Sequence, residues 1–385
     1  MNTDNSSIFR HAGPFLLESG HLLQDLHLAY HTYGRLNVQK DNAVWVFHAL
    51  TANSDPMAWW PGLVGSGKLL DPKDYFIVCV NMPGSCYGSS GPLDNRPDID
   101  LPYYHDFPSF TIHDMISAYQ LLRDALGIEK IYMGIGGSMG GQQLLEWAVT
   151  EPAAFDHIVP IATNAWHSAW GKAFNESQRW CIEADPTWRH STAEAGMEGM
   201  KVARSVALLS YRNYQTYDLY QSDEDSLSLT GFKAASYQHY QGEKLARRFN
   251  AFSYHQLSRS MDSHHVGRHA STAGHVPIAG HAPTAGHVPN AGHAPTVFPA
   301  SAAFPALAAA AAAALSRITA KALVIGLHSD ILFPLVEQQY LARHIPGAKF
   351  ASIDSTYGHD GFLLESEAIE KSVRQLLLNQ AAVTI

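Results

Sequence analysis

The segment Gly136-Gly137-Ser138-Met139-Gly140 has the Gly-x-Ser-x-Gly pattern of a sharp turn that presents a serine for attack. The pattern alone is weak, and its flanks strengthen it. The run Lys130 to Gly134 reads as a buried strand, and Gln142 to Thr150 reads as a helix closed by Glu151-Pro152. A strand, turn and helix in that order would set the Ser138 hydroxyl at the carboxyl edge of a sheet. A serine is a poor nucleophile until a base takes its proton. Downstream, the strand-like run Ala322 to Leu327 leads into His328-Ser329-Asp330, and the later loop Tyr357-Gly358-His359-Asp360-Gly361 offers an imidazole. His359 is the natural base, with Asp330 fixing its tautomer and balancing the imidazolium. The competing reading is a glycine-rich turn, a capping aspartate and a surface histidine. A developing oxyanion needs backbone N–H donors. Met139, after the serine, should supply one, and the loop His48 to Asn53 the other, at Leu50. His48 itself reads as a packed structural histidine. Cys86, with no base placed for it, reads as a structural cysteine.

The elements that must position these groups follow from periodicity. Ala43 to Phe47, Tyr75 to Val80, Lys130 to Gly134 and Ala322 to Leu327 are short, continuously apolar strands of the kind buried on both faces of a parallel sheet. Ile112 to Leu126 repeats its apolar residues at helical spacing and stops at Gly127. The alternation predicts an α/β fold with a mostly parallel central sheet and helices on both faces. From Ala165 to Asp262 the chain is rich in Tyr, Trp, Gln and Arg and has no convincing strand, which predicts a helical cap. The expected division is core at 1–164, cap at 165–262, linker at 263–306 and core again at 307–385.

The linker contains four hexamers of the type Ala-Gly-His-x-Pro-x, starting at Ala273, Ala279, Ala285 and Ala291; after it comes the alanine run Ala308 to Ala314, read as a helix leading back to the core. Seven of the 22 histidines fall between His264 and His293, which raises the question of a metal. In an extended polyproline-type chain a six-residue step separates imidazoles by about 19 Å. Zinc needs its ligands at about 2 Å, so an exposed repeat without metal is the expected state of the tract.

Composition narrows the partners. Apolar residues make up 46% of the 385-residue chain, enough for a sizeable core. With 26 basic and 35 acidic residues the net charge is −9, a poor match to nucleic acid or an anionic membrane surface. The N-terminus shows no signal-peptide pattern, no apolar run approaches the roughly 20 residues of a membrane span, and three cysteines suit a reducing compartment. A soluble, cytoplasmic protein is expected.

Taken together, His48-Ala49-Leu50-Thr51, Gly84-Ser85-Cys86-Tyr87-Gly88-Ser89, Gly137-Ser138-Met139-Gly140-Gly141, Ser210-Tyr211-Arg212, Tyr240-Gln241-Gly242, Asp330-Ile331-Leu332-Phe333-Pro334 and Tyr357 to Leu363 resemble the homoserine O-acetyltransferases of the α/β-hydrolase superfamily. The resemblance covers nearly the whole chain outside about 270–306. It implies an α/β-hydrolase fold and a triad at Ser138, Asp330 and His359. It also implies acceptor binding by Arg212 and Asp360. The implied reaction moves an acetyl group from acetyl-CoA, as co-substrate, to L-homoserine in methionine biosynthesis. No metal or other cofactor is expected, and a homodimer packed through the cap helices is. The chain departs from the family pattern at Asn53, at Met82-Pro83 and at His265. Serine as acceptor, succinyl-CoA as donor, water as acceptor in an esterase, and a silent binding module are the other readings.

Overall fold

The computed structural model describes residues 6–225, 227, 229–269 and 303–381. Eight strands form the main sheet: β1 Ser7–Arg10, β2 His27–Tyr33, β3 Ala43–Phe47, β4 Phe76–Val80, β5 Ile131–Gly137, β6 Phe155–Ile161, β7 Lys321–Leu327 and β8 Lys349–Ile353. Their spatial order is β1-β2-β4-β3-β5-β6-β7-β8. The first two pairings are antiparallel and the remaining five parallel. The reading as an α/β-hydrolase architecture holds.

Every residue of β3 is buried, as a strand covered on both faces requires. The helices are α1 Ile112–Ala125, α2 Met139–Thr150, α3 Ala169–Glu183, α4 Met197–Tyr211, α5 Tyr214–Gln221, α6 Lys233–Ala246, α7 Ala251–Asp262, α8 Ala303–Leu315, α9 Leu335–His344 and α10 Ser366–Ala381. Thr111 and Asp114 close a reciprocal capping box at the start of α1. The stretch from α3 to α7 contains helices and turns but no strand among its described residues. The hexamer repeats lie outside the described residues.

Four strands escape the periodicity argument, β1, β2, β6 and β8. β2 is HLAYHTY, with mixed burial. β6 carries Asp156, His157 and Pro160 inside the sheet. Pro160 has no N–H to donate, and the β6–β7 register passes from Ile158 to Ile161 without it. Phe47 lies beside Gly136 in the parallel register. The loops after β3 and β5 therefore leave the same edge of the sheet, side by side. β7 and β8, also parallel, end at that edge with Leu327 and Ile353. Ligand sites of open α/β sheets form outside such carboxyl ends.

Candidate active site

β5 runs three residues past its expected end and delivers the chain directly into Ser138, whose backbone sits at φ 58°, ψ −129°. A non-glycine residue at positive φ costs on the order of 1–3 kcal/mol. The surroundings impose it. The Ser138 N–H donates to the Ile161 carbonyl at 3.0 Å, and its own carbonyl accepts from Gly141 N–H at 2.9 Å and from Thr163 Oγ1 at 2.9 Å. Gly136 is needed for close approach: a Cβ there would stand 2.7 Å from the Gly140 carbonyl carbon and 2.9 Å from the Phe47 Cβ. Helix α2 starts at once, at Met139, so its first amides point back at the turn.

Asp330 follows β7. One of its carboxylate oxygens accepts the N–H groups of Leu332 and Phe333, each at 2.9 Å. The other lies 2.7 Å from His359 Nδ1. Charge-assisted bonds of this length hold an imidazole in one orientation and leave Nε2 as the proton acceptor. The His359 ring stacks on Phe333 at 5.0 Å, with Phe362 at 5.3 Å and Tyr211 at 5.8 Å, so it is walled by aromatic rings. Gly358, at φ 63°, donates its N–H to Ser329 Oγ at 3.0 Å. A side chain there would meet the end of α4, with Arg212 C at 2.9 Å.

Ser138 and His359 line one cavity of about 330 Å³. Leu50 borders it, as do Thr51, Asn53 and Trp59 of the loop after β3. That loop is anchored by His48, which is fully buried, holds the Ala49 carbonyl at 2.9 Å through Nδ1 and accepts the Met82 N–H at 3.2 Å through Nε2. Burial pushes its pKa down to about 4, so it is a neutral structural histidine. Neither the Leu50 nor the Met139 amide is taken by a backbone carbonyl among the described residues. Cys86 donates its thiol to the Arg248 carbonyl at 3.5 Å, and burial pushes its pKa up to about 12. A thiol so poised is no nucleophile at neutral pH.

Asp360 also lines the cavity, and burial raises its carboxyl pKa against the pull of Arg212 and Arg204. Arg212 Nε lies 3.1 Å from Asp360 Oδ2. The structure thus brings Arg212 to the site's edge through its partner, while Arg212 itself borders a second cavity of about 380 Å³ with Tyr217, Tyr237 and Tyr357. Two cations absent from the sequence reading lie on the Ser138 cavity, Arg204 and Arg248. Arg248 bonds the Thr51 carbonyl and, at 2.6 Å, the Tyr87 hydroxyl. Arg204 lies over the Tyr211 ring at 5.3 Å. The seven-residue step from Arg204 to Tyr211, two helical turns on one face, was a signal for the first. Nothing local signals Arg248. Asn53, a departure from the family pattern, caps its own turn by accepting the Asp55 N–H at 2.9 Å.

The geometry has parallels. The alpha/beta hydrolase fold family matches residues 42–366. The chain is 42% identical over 362 residues to a homoserine O-acetyltransferase of Cyclobacterium marinum, covering 94% of this chain and 92% of that one. A homoserine O-acetyltransferase of Chlorobaculum parvum is 37% identical, with 98% and 97% covered. Among solved structures, homoserine O-acetyltransferase from Bacillus anthracis superposes with a TM-score of 0.81 at 20% identity, covering 98% of both chains. An acetylester hydrolase from Corynebacterium glutamicum gives 0.76 at 23% identity, with 96% and 95% covered. Likeness at such low identity speaks to the fold alone. The sequence relationship, sustained from end to end, goes further: the chain belongs to the homoserine O-acetyltransferase family of the α/β-hydrolase fold.

Proposed function

We propose that this protein transfers an acetyl group from acetyl-CoA to the hydroxyl of L-homoserine through an acyl-serine. The observation that carries the reading is the 2.7 Å Asp330–His359 pair opening on the same cavity as a serine held at positive φ. His359 takes the Ser138 proton, and Oγ attacks the thioester carbonyl. The amides of Leu50 and Met139 hold the oxyanion. The C–S bond breaks, and the departing thiolate leaves as the thiol with the proton from His359. Homoserine then enters. His359 takes the proton of its hydroxyl, which attacks the acyl-serine and restores Ser138.

Asp360 and Arg212 suit an amino-acid acceptor. A carboxylate holds an ammonium, and a guanidinium whose Nε faces Asp360 retains its Nη pair for a carboxylate. Fixing both ends of the acceptor aims its hydroxyl and favours it over water by proximity. A homodimer joined through cap helices agrees with the exposure of Leu209, Tyr214, Leu219 and Trp180. Sedimentation at equilibrium checks it. No helix among the described residues is long and apolar enough to cross a membrane.

The test is CoA release from acetyl-CoA and, separately, succinyl-CoA, each with homoserine, serine or no amino acid. Release that depends on homoserine and on the acetyl donor supports the assignment. Equal release without any amino acid would make the protein a hydrolase.

A further inference from the structure

Away from the acyl-transfer cavity, titratable side chains from four separate segments meet on the far side of α2. His113 comes from the first turn of α1, Glu146 from the middle of α2, His269 from the chain beyond α7, and Glu18 from the loop after β1. His113 Nδ1 lies 3.0 Å from Glu146 Oε1, and His269 Nε2 lies 2.8 Å from Glu18 Oε1. The two imidazoles stack with ring centroids 4.0 Å apart. One donor atom each from His113, Glu146 and His269 falls within 4.8 Å of the others. Ligands bound tetrahedrally at about 2.0–2.1 Å stand about 3.4 Å apart, so a contraction of about an ångström closes the shell. The space among them is about 10 Å³, room for one monatomic or water-sized occupant and nothing organic.

We propose that His113, Glu146 and His269 bind a divalent transition metal of the zinc type, with Glu18 supplying a second carboxylate beside His269. Two imidazoles with carboxylate oxygen are borderline donors, suited to Zn²⁺, Co²⁺ or Ni²⁺ and poor for Mg²⁺ or Ca²⁺. Two carboxylates and two neutral rings balance a 2+ ion. Arg268, the nearest competing cation, is turned onto the Ser263 carbonyl. The ion replaces the protons now shared in the His–Glu pairs, which pass to solvent. Bound, it joins α1, the exit of the cap and α2, the helix whose N-cap is Ser138. The ion is structural and takes no part in acyl transfer.

His269 is in phase with His275, His281, His287 and His293, each six residues on. The repeats lie outside the described residues and form no part of the site.

The experiment uses the full chain with His275, His281, His287 and His293 changed to Gln, so that only the folded site can chelate. Stripped of metal and titrated with Co²⁺, it should take up one ion per chain with the visible bands of a four-coordinate site, displaced by Zn²⁺ and not by Mg²⁺ or Ca²⁺. Zinc should also raise its Tm. His113→Ala and Glu146→Gln in the same background should each weaken uptake by at least about tenfold. Glu146→Gln keeps an acceptor for His113, and an unchanged circular dichroism spectrum in chelator separates lost binding from lost fold. Uptake confined to chains that retain the repeat histidines, or equal uptake by the Glu146→Gln chain, overturns the proposal.

Discussion

Two carboxylate-bonded pairs sit on adjacent residues of one loop, His359 with Asp330 and Asp360 with Arg212, and they are built differently. The first belongs entirely to the sheet edge. Its carboxylate is anchored by two backbone N–H groups, its imidazole is enclosed by aromatic rings, and its bond is 2.7 Å. The second joins the loop after β8 to the residue just past the end of α4. It is longer, at 3.1 Å, and its arginine sits just past the end of α4, where the Arg212 backbone packs against Gly358. Backbone anchoring makes a fixed proton path. A side-chain pair between separate segments suits the acceptor-binding role proposed for it, which a zwitterion would use by opening the pair.

The largest effects should come from the core pair. Ser138→Ala should abolish acyl-enzyme formation and lower transfer by at least about 10⁴-fold, read as CoA release, with Tm unchanged. Asp330→Asn should cost about 10⁴-fold through the wrong imidazole tautomer. In the second pair, Arg212→Ala should lower kcat/KM for homoserine by at least about 30-fold, the lower end of the cost of truncating one partner of a buried charge pair, since this pair is half-buried. Hydrolysis of a small neutral ester should fall far less. Equal losses would make the two pairs one machine rather than two. Gly358→Ala places a side chain at positive φ against Arg212. It should destabilise the fold by about 1–3 kcal/mol in urea unfolding and lower transfer with both donors and acceptors alike.

A third buried carboxylate provides the control. Glu337 accepts from Asn164 Nδ2 at 2.9 Å but has no cation among the groups that shift it, and burial raises its pKa from 4.5 to about 7. A folded value above the unfolded one means that the proton favours the folded state. That stability is full below about pH 4.5 and is lost as pH rises through 7. Glu337→Gln should therefore match the parent in stability at pH 4 and exceed it by up to about 3 kcal/mol at pH 8. A mutant less stable than its parent at pH 8 would show that burial, without a partner, is not what sets this group apart.

The chemistry of the core pair was legible because it is local. Gly136 to Gly140 announces a turn, and Asp330 and His359 each follow a strand-like run or a glycine-marked loop. The parallel strands were legible for the same reason, since burial on both faces leaves unbroken apolar runs. β2 and β6 were not. The polar residues of β2 are held by loop residues, His31 by Ser54 and Tyr33 by Asp55, and in β6 His157 bonds the Tyr132 carbonyl of β5. His48 reads as structural, and the structure supplies the reason: it is fully buried and holds the loop after β3 to Met82.

Residue order alone pointed to Ser138 as the candidate nucleophile, to His359 as its candidate base and to the strand–turn–helix that carries Ser138, because each signal is local. Tertiary structure alone decided that Arg204 and Arg248 face the reaction cavity, that Arg212 reaches it through Asp360, and that His113, Glu146 and His269 gather behind α2. These groups come from segments up to about 200 residues apart, as with Arg248 and Thr51. No periodicity encodes such meetings. They follow from how the helical cap and the sheet pack to bury their apolar faces.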